Sequence, residues 1–421
     1  MRSLLVLPAV LVFVLIFTGT IACEPNSDSS SHTSEKPRVI TGAETLISDY
    51  LHQLEGRRIG ITGNPTARVD NAHLLDTLLA LNTNVTALFA PEHGFRGDHG
   101  AGEIIKDGVD QETGLPVFSL YGNTRKPTQE MLSHIDVMLF DIQDVGVRFY
   151  TYISTLGLVL EAAAEAGVEV WVLDRPNPLG GTYMAGWITE PEFKSFVGAF
   201  PIPVVHGMTI GELAKMMIGE GWIESDTVPE LKVIPMENWT RSMNWEDTLF
   251  DWLPPSPNLP GFANALVYPG TCFFEGTNFS EGRGTPHPFL NIGSQTFVFR
   301  DHDAEHMKSR YPAFFSRVDF TPVSIPGKAP NPKLQDKELR GVKITPQIAK
   351  PDSLRPMELG LELLRIAKRN DQFFETKRFL YNLSGTRKIN DFLNSDLPPE
   401  SFWQDDIAQF SEQREPYLLY R

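Results

Sequence analysis

In residues 88–103 (LFAPEHGFRGDHGAGE), three acids, two histidines and four glycines follow an apolar run. Glycine lets the backbone take positive φ and pass close to a bound molecule, and loops at the carboxyl ends of parallel strands hold ligands in open α/β sheets. We therefore predict Glu92 and His93 as catalytic residues. The alternative is a surface turn, in which the glycines only allow the backbone to turn and the side chains of Glu92 and His93 are solvated.

Polar residues also end other apolar runs that are typical of buried strands. Asn64 ends RRIGITGN, Asp141 ends IDVMLFD, and Asp174 follows VEVWVL. Because parallel strands end at a common edge of the sheet, we expect these side chains to gather with Glu92 there.

Acids, arginines and aromatic rings follow the same runs. Carboxylates bind sugar hydroxyls, rings stack on the apolar face of a sugar, and a guanidinium pairs with a carboxylate, so the mixture favours a sugar site. The alternative is that the charged residues from Asp141 to Arg148, and Asp174 with Arg175, form local ion pairs or turn caps. The candidates are Asp144, Arg148, Tyr150, Tyr152, Arg175 and Asn177.

A second glycine-rich stretch, residues 275–287 (EGTNFSEGRGTPH), predicts another loop over the site. Its substrate-binding candidates are Glu275, Asn278, Glu281 and Arg283. His206, between a strand-like PIPVV and a helical pattern, fits a core histidine or a ligand contact equally well.

The motifs of several other enzyme classes are absent from the sequence. There is no GxGxxG at a strand-to-helix turn, no GxxxxGK[ST], no GxSxG and no HExxH. The sequence therefore does not support a dinucleotide-binding protein, a P-loop nucleotide-binding protein, an α/β-hydrolase or a zincin metalloprotease. His93, Asp98, His99 and His206 are conceivable metal ligands, but nothing fixes two of them on one helix face. We predict neither a metal nor a cofactor.

Strand patterns and helix patterns alternate across residues 57–235. The helical segment 151–166 ends at Gly167, a typical C′ glycine, and Thr209 with Glu212 forms a capping box. The alternation predicts an α/β fold with a parallel sheet covered by helices on both faces. The strand patterns cover residues 57–64, 84–90, 116–120, 135–141, 168–173 and 231–235, and the other helical patterns cover 73–82, 128–134 and 209–221.

Four prolines in residues 252–261 exclude regular structure and predict a domain boundary or a crossover. We predict a catalytic domain over residues 38–255 and a smaller mixed α/β domain over 256–421 that contributes to the cleft. Within the second domain the patterns indicate strands at 296–299, 323–325 and 341–345, and helices at 357–369 and 389–393.

The charge balance argues against nucleic-acid binding. The 421 residues include 37 Lys and Arg against 53 Asp and Glu, a formal charge of −16, whereas phosphate contacts need dense basic residues. An anionic ligand must therefore meet a local group of cationic side chains.

The N-terminus predicts export. Residues 1–23 combine Arg2, an apolar run too short for a confident membrane span, and small residues before Cys23. The sequence TIAC resembles a bacterial lipobox, which implies lipidation of Cys23 and a membrane-anchored lipoprotein of the cell envelope, most simply facing the periplasm. A plainly cleaved signal is the alternative. Residues 24–37 predict a flexible tether, and only Cys272 remains for the folded chain.

Five strings in one order resemble the exo-β-N-acetylmuramidase family, peptidoglycan hexosaminidases formerly grouped as a domain of unknown function. They are APEHGFRGDHGAGE, LFDIQDVGVRFYTYISTL, VLDRPNPLGG, PIPVVHGMTIGELA and YPGTCFFEGTNFSEGRGTPHPF, and the resemblance covers nearly all of residues 38–421. It implies a Rossmann-like domain, a smaller C-terminal domain, and removal of N-acetylmuramic acid from the non-reducing end of peptidoglycan fragments during cell-wall turnover and recycling.

For the mechanism, the resemblance makes Glu92 the general acid, with His93 shaping its surroundings. Such an acid must be protonated near neutral pH, which burial and a neighbouring carboxylate achieve. Asp141, Asp144 or Glu275 is the hypothesised second carboxylate, which activates water or stabilises an oxazolinium formed by the acetamido group of the sugar. The lactyl carboxylate of the sugar requires an arginine, and the candidates are Arg148, Arg175 and Arg283.

Two other functions remain open from the sequence. A non-catalytic lipoprotein that binds cell-wall sugars would use the same acids and arginines. A metal-dependent hydrolase would lose its activity on chelation.

Overall fold

Strands and helices alternate along the chain in the computed structural model, which describes residues 37–96 and 107–421. The predicted signal with Cys23, most of the predicted tether, and the metal candidates Asp98 and His99 lie outside these residues. The strands of the described part are β1 (Ile59–Gly63), β2 (Arg68–Val69), β3 (Ala72–His73), β4 (Val85–Ala90), β5 (Gly108–Val109), β6 (Pro116–Ser119), β7 (Val137–Asp141), β8 (Glu169–Leu173), β9 (Leu231–Ile234), β10 (Asn291–Ser294), β11 (Ala313–Phe320) and β12 (Leu339–Pro346).

The helices vary from single turns to fifteen residues. Short 3₁₀ turns and one π-helical segment, Leu46–Tyr50, supplement them. In the described chain the α-helices are α1 (Gly42–Thr45), α2 (Leu74–Ala80), α3 (Gln129–Leu132), α4 (Tyr152–Ala166), α5 (Ile210–Gly219), α6 (Phe262–Thr271), α7 (Asp301–Arg310), α8 (Pro351–Leu354), α9 (Pro356–Asn370), α10 (Phe379–Ser384), α11 (Ile389–Leu393) and α12 (Gln404–Arg414).

A seven-stranded sheet in the order β5-β6-β4-β1-β7-β8-β9 organises the N-terminal part of the described chain. All its neighbours pair in parallel except the short edge strand β5, which is antiparallel to β6. Counted along the chain, the parallel strands lie in the doubly wound order 3-2-1-4-5-6, in which ligands bind beyond the carboxyl ends of the strands. The predicted α/β fold class is confirmed.

The two faces of this sheet bury separate sets of side chains, because successive residues of a strand point to opposite faces. On β7, Val137 and Leu139 join a core with α1 and α2, whereas Met138 and Phe140 join the larger core with α4 and α5. Strands buried on both faces are typical of parallel sheets, and this is why the sequence shows continuous apolar runs here.

The predicted strands and helices of residues 57–235 are confirmed within a few residues at each end. Thr209 and Glu212 form the predicted capping box, with the Glu212 carboxylate accepting from the Thr209 amide over 3.0 Å. Gly167 ends α4 with φ of 67°, a left-handed conformation that favours glycine.

The C-terminal part combines helices with an antiparallel sheet in the order β10-β12-β11. Helix α6 packs closely on α9, and a Cβ on Gly270 would lie 2.3 Å from the Pro356 carbonyl oxygen and 2.7 Å from the Gly360 Cα. The predicted strand at 341–345 and helices at 357–369 and 389–393 are confirmed as β12, α9 and α11.

Two predicted strands in this part are wrong. Residues 296–299 form a loop, in which the Thr296 hydroxyl donates to the Asp371 carboxylate over 2.8 Å. Residues 323–325 make only an isolated pairing between Ile325 and Ala329. Side-chain bonds and turns replace ladder hydrogen bonds at both places, which a short apolar pattern does not reveal.

Residues 38–421 form a single compact unit. The larger hydrophobic core includes Ala87 of the central sheet and Phe410 of α12, so it extends through both predicted domains. The boundary at residue 255 stays a prediction. Among the described residues, no helix combines the length and the apolar character needed to span a bilayer.

Candidate active site

A cavity of about 580 Å³ opens beyond the carboxyl ends of the central strands. The loops that follow β4, β6 and β7 line one part of it, and segments between Ser256 and Phe379 complete it. Seven of the residues that the sequence predicted contribute to its surface: Glu92, His93, Tyr150, Tyr152, Glu275, Glu281 and Arg283.

Glu92 follows β4 and is half-buried in the cavity surface. The Thr151 hydroxyl donates to its carboxylate over 2.8 Å, and the Tyr121 hydroxyl also hydrogen-bonds it. Burial, followed by the charge of Glu92, raises the pKa of Tyr121, so this hydroxyl stays protonated and acts as a donor. Two hydroxyl groups thus fix the direction of the Glu92 carboxylate.

The turn after Glu92 is conformationally unusual. His93 has φ of 75° and Gly94 has φ of 85°, in the left-handed region that non-glycine residues rarely adopt. The Gly94 amide donates to the Pro91 carbonyl over 3.0 Å and closes the turn. Strained residues of this kind cluster at functional sites, and here the turn brings both Glu92 and the buried His93 to the cavity.

Tyrosines connect the Glu92 region with the rest of the cavity. The Tyr152 hydroxyl donates to the Pro255 carbonyl over 2.8 Å and accepts from the Asn64 amide over 2.9 Å. The rings of Tyr150 and Tyr152 meet edge to face at 5.0 Å. Asn64 is fully buried and does not line the cavity, so it orients Tyr152 from behind.

The C-terminal part contributes a group of charged residues, Glu275, Glu281, Arg283 and Lys333, which we call the Arg283 cluster. Arg283 donates to Glu275 over 2.7 Å, and the ammonium of Lys333 lies 2.8 Å from the Glu281 carboxylate. Burial opposes the charge of Arg283, but the two carboxylates raise its pKa above the usual value. The acids and bases of the cluster balance each other.

Asp141 and Arg175 form a buried ion pair away from the cavity surface, with contacts of 2.5 and 2.8 Å. Asp141 ends β7 at the predicted edge, and the Arg175 guanidinium also donates to the Arg68 carbonyl over 3.0 Å. This pair ties together the loops after the strands. Its position suits support of the site rather than contact with a ligand.

Asp174 and Asn177, which follow β8, are also buried away from the cavity. Asp174 accepts from the hydroxyls of Thr209 and Tyr420 over 2.7 and 2.6 Å, and burial raises its pKa to about 7. Asn177 donates to the Met208 carbonyl over 3.0 Å. Both residues hold the start of α5 and the C-terminus against the sheet.

Arg148 is one of the largest fully buried side chains of the described chain. Its guanidinium donates to the carbonyls of Trp187, Ile202 and Leu383 over 2.6, 2.7 and 2.8 Å. Burial lowers its pKa to about 9. Its two terminal nitrogens are engaged within the protein, its Nε is buried without a hydrogen-bond partner among the described residues, and Arg148 does not line the cavity.

Asp144 and His206 form a second buried pair, with 4.0 Å between the His206 Nε2 and the Asp144 Oδ2. Burial raises the pKa of Asp144 to about 7, and burial with nearby arginines lowers the pKa of His206 to about 3. The Met208 amide donates to His206 Nδ1 over 3.2 Å, so the neutral ring carries its proton on Nε2. Neither residue lines the cavity.

Asn278 lies at the protein surface, where its amide donates to the Phe373 carbonyl over 2.6 Å. It takes no part in the cavity lining. Within residues 37–96 and 107–421, no three His, Cys, Asp or Glu side chains converge as a metal site would require.

Several cavity residues were not predicted from the sequence. Tyr121 follows β6, and Thr151 lies between two tyrosines that were predicted, so the rule of strand ends would have found both. Lys328 and Lys333 belong to the loop KAPNPK, whose sequence carries no comparable signal. The other cavity residues of this kind include Arg125, Phe196 and Tyr268.

Comparisons with known proteins cover almost the whole folded chain. Residues 59–263 match the family described as exo-β-N-acetylmuramidase NamZ, N-terminal, and residues 266–420 match its C-terminal counterpart. The chain is 40% identical over 419 residues to the peptidoglycan β-N-acetylmuramidase NamZ of Bacillus subtilis (strain 168), covering 96% of this chain and 97% of that protein.

Two crystal structures share the fold. Both are DUF1343 family proteins from Bacteroides fragilis NCTC 9343, which are 36% and 34% identical to this chain with TM-scores of 0.76 and 0.78. Each comparison covers 91% of this chain and 99% of the crystallised chain. The shared architecture therefore extends over both the parallel sheet and the C-terminal part.

Proposed function

The chain belongs to the exo-β-N-acetylmuramidase family, and from this premise we propose that it releases N-acetylmuramic acid from the non-reducing end of peptidoglycan fragments, with Glu92 as the general acid. The family consists of glycoside hydrolases, and a relative with 40% identity is named a peptidoglycan β-N-acetylmuramidase. The observation that carries the proposal is the half-buried Glu92 carboxylate, held by two hydroxyls in a cavity that also contains tyrosines and further acids.

In the proposed reaction, Glu92 donates its proton to the glycosidic oxygen while the bond from that oxygen to the anomeric carbon breaks. The Thr151 and Tyr121 hydroxyls hold the carboxyl group in one direction, so the proton is presented at a fixed position. Positioning of this kind removes the entropy cost of finding the reactive geometry.

Glu275 is the best placed of the three candidates for the second carboxylate. It lines the cavity, whereas Asp141 and Asp144 do not. Its bond from Arg283 keeps the carboxylate oriented. Glu275 then either activates the attacking water or stabilises an oxazolinium formed by the acetamido group of the sugar.

Product stereochemistry and one variant test this role. We expect Glu275→Gln to lower turnover while the protein still binds N-acetylmuramic acid. NMR of the first product reports the anomeric configuration, since direct attack of water inverts it and an oxazolinium route retains it. Full activity of Glu275→Gln would remove Glu275 from the mechanism.

Hydrolysis of a chromogenic β-N-acetylmuraminide, measured beside the matching N-acetylglucosaminide, tests the activity itself. Release of the aglycone from the muraminide supports the enzyme. Binding without release would instead support the non-catalytic sugar-binding lipoprotein. The same assay after exhaustive chelation tests the metal-dependent alternative, because a metal hydrolase would lose its activity.

We also propose that the protein is exported and anchored to a membrane of the cell envelope through lipidated Cys23, and that it takes part in cell-wall turnover and recycling. The signal-like N-terminus and the sequence TIAC support this proposal. Labelling with a radioactive fatty acid should mark the wild-type protein and not Cys23→Ala. Labelling of both, or of neither, would contradict the anchor.

A further inference from the structure

The cationic side chains of the cavity differ in whether acids already neutralise them. Among the described residues, the four that line it are Arg125, Arg283, Lys328 and Lys333. Arg283 lies 2.7 Å from Glu275 and 3.7 Å from Glu281, and Lys333 lies 2.8 Å from Glu281. The charges of the Arg283 cluster therefore already neutralise one another. A ligand carboxylate placed there would also lie close to the negative charges of Glu275 and Glu281.

Arg125 has no such partner. Within the described chain no carboxylate lies within 4.0 Å of its nitrogens, and its guanidinium sits over the Phe196 ring at 4.3 Å from the ring centre. A guanidinium stacked on an aromatic face keeps its N–H edge available for a planar anion. Arg125 is thus an oriented cation on the cavity surface that no acid of residues 37–96 or 107–421 neutralises by direct contact.

Arg125 also lies in the Glu92 region. Its charge lowers the pKa of Tyr121, against the dominant effect of burial, and Tyr121 hydrogen-bonds Glu92. The sugar whose glycosidic oxygen receives the proton from Glu92 is the terminal one, and in the proposed substrate that sugar bears a lactyl carboxylate. The carboxylate and the guanidinium would therefore belong to the same end of the cavity.

We propose that Arg125 binds the carboxylate of the terminal sugar and thereby determines specificity for N-acetylmuramic acid over uncharged hexosamines. The inference rests on the proposed function and assigns to Arg125 the role that the sequence analysis gave to Arg148, Arg175 or Arg283. The first two of these do not line the cavity, and the third is paired with acids. Two parallel N–H donors of a guanidinium match the two oxygens of a carboxylate.

Lys328 provides a matched control. It is an exposed cation on the same cavity surface, with no acid within 4.0 Å in the described part of the chain, but it comes from the C-terminal loop. Removing its charge takes one positive charge from the cavity surface, as removing that of Arg125 does. Unlike Lys328, Arg125 has planar donor geometry, and its charge acts on the pKa of Tyr121.

The test compares two ligands that differ in one charge, N-acetylmuramic acid and its carboxamide, by titration against the full-length protein and its variants. We expect the wild type and Lys328→Gln to bind the acid about tenfold or more tightly than the amide, and Arg125→Gln to bind the two within about threefold. Arg125→Lys should lie between these values, because lysine offers a point charge without the planar fork.

Three outcomes would overturn the inference. The first is an unchanged preference for the acid over the amide in Arg125→Gln, and the second is the absence of this preference in the wild type. The third is a loss of the preference in Lys328→Gln as large as that in Arg125→Gln. Binding does not require turnover, so this result is separate from the activity. If the wild type prefers the acid through Arg125 but releases no aglycone from the chromogenic muraminide, the proposed hydrolysis fails and the specificity assignment stands.

Discussion

The Thr151 hydroxyl donates to the Glu92 carboxylate over 2.8 Å, although Thr151 occupies the N-cap position of α4. A threonine at that position usually accepts a hydrogen bond from the first turn of its helix. Thr151 makes no such cap bond. A hydroxyl that would ordinarily stabilise the helix is directed instead to the predicted general acid.

Thr151→Val should therefore affect catalysis more than folding. A hydrogen bond to a charged group contributes about 1.5 to 3 kcal/mol, so we expect kcat/KM to fall about tenfold to a hundredfold. Thr151→Ser keeps the hydroxyl and should recover most of the activity. Steady-state kinetics across pH measures this, because loss of a bond to the acid also displaces the pH profile.

Thr155→Val is the matched control for Thr151. Thr155 lies one turn later in α4, and its hydroxyl donates only to the Thr151 carbonyl, over 3.3 Å. Equal losses of activity in the two variants would mean that the helix, rather than the bond to Glu92, is responsible.

Glu92→Gln should reduce kcat by about 10² to 10⁴, the usual contribution of general acid catalysis. The amide keeps the size of the side chain and an acceptor for Thr151, so the thermal unfolding temperature should stay close to that of the wild type. Kinetics with the chromogenic muraminide and a thermal melt measure the two properties. Activity near the wild-type level in highly purified protein would exclude Glu92 as the acid.

Most of the central sheet could be predicted because its inner strands β1, β4, β7 and β8 are largely apolar runs bounded by turn residues, whereas the two-residue edge strand β5 was not predicted. The strand ends do share one edge, as the positions of Gly63 beside Asp141 and Ala90 beside Ser119 show. The less regular C-terminal part was harder. Helix α6 contains Pro269 and Gly270, which weaken the helical pattern, and packing against α9 maintains it.

The candidate site was only partly accessible from the sequence, because residue type does not reveal how a side chain's bonding capacity is used. Arg148 and Arg175 have the chemistry expected of a carboxylate binder. The terminal nitrogens of Arg148, however, bind three carbonyls, and Arg175 is paired with Asp141. Lys328 comes from a loop far along the chain. Its position at the cavity depends on how the C-terminal part packs, and a local sequence pattern does not reveal that packing.

Arg148→Met should destabilise the protein strongly. The variant leaves the carbonyls of Trp187, Ile202 and Leu383 buried without these donors, at about 1 to 3 kcal/mol each, so we expect a loss of about 3 kcal/mol or more. Urea unfolding measures the free energy of unfolding. Arg387→Met, which removes an exposed ion pair with Glu192, should change it by less than about 1 kcal/mol. Similar losses in the two variants would contradict a structural role for Arg148.

Gly270→Ala should separate α6 from α9. The added Cβ would lie 2.3 Å from the Pro356 carbonyl oxygen and 2.7 Å from the Gly360 Cα. Both are backbone atoms of the buried helix α9, so they cannot rotate away as a side chain could. Overpacking of this kind costs about 1 to 3 kcal/mol, which thermal or urea unfolding will detect. Gly56→Ala is a poor control because Gly56 has φ of 73°. A Cβ on Gly108 would meet no atom of the described residues within 4 Å, so Gly108→Ala should be nearly neutral. An unaltered stability in Gly270→Ala would mean that the helices do not approach this closely.

Asp144 should make the stability of the protein fall as pH rises. Burial raises its pKa to about 7 in the folded protein, whereas an aspartate in an unfolded chain titrates near pH 3.9. Between these values the folded state binds a proton that the unfolded state has released, so the contribution of Asp144 to stability is greatest below about pH 4 and is lost as the pH rises to about 7.

The variant Asp144→Asn tests this, because the amide carries no charge at any pH. Between pH 5 and pH 8 the free energy of unfolding of the variant should decrease by about 2 to 3 kcal/mol less than that of the wild type. Urea unfolding at the two pH values measures this, with the exposed Asp405→Asn as control. The stability of the variant will still depend on pH through Asp174, because burial also raises the pKa of Asp174 to about 7. If the free energy of unfolding of the variant changes with pH as much as that of the wild type, Asp144 is already ionised in the folded protein at pH 5.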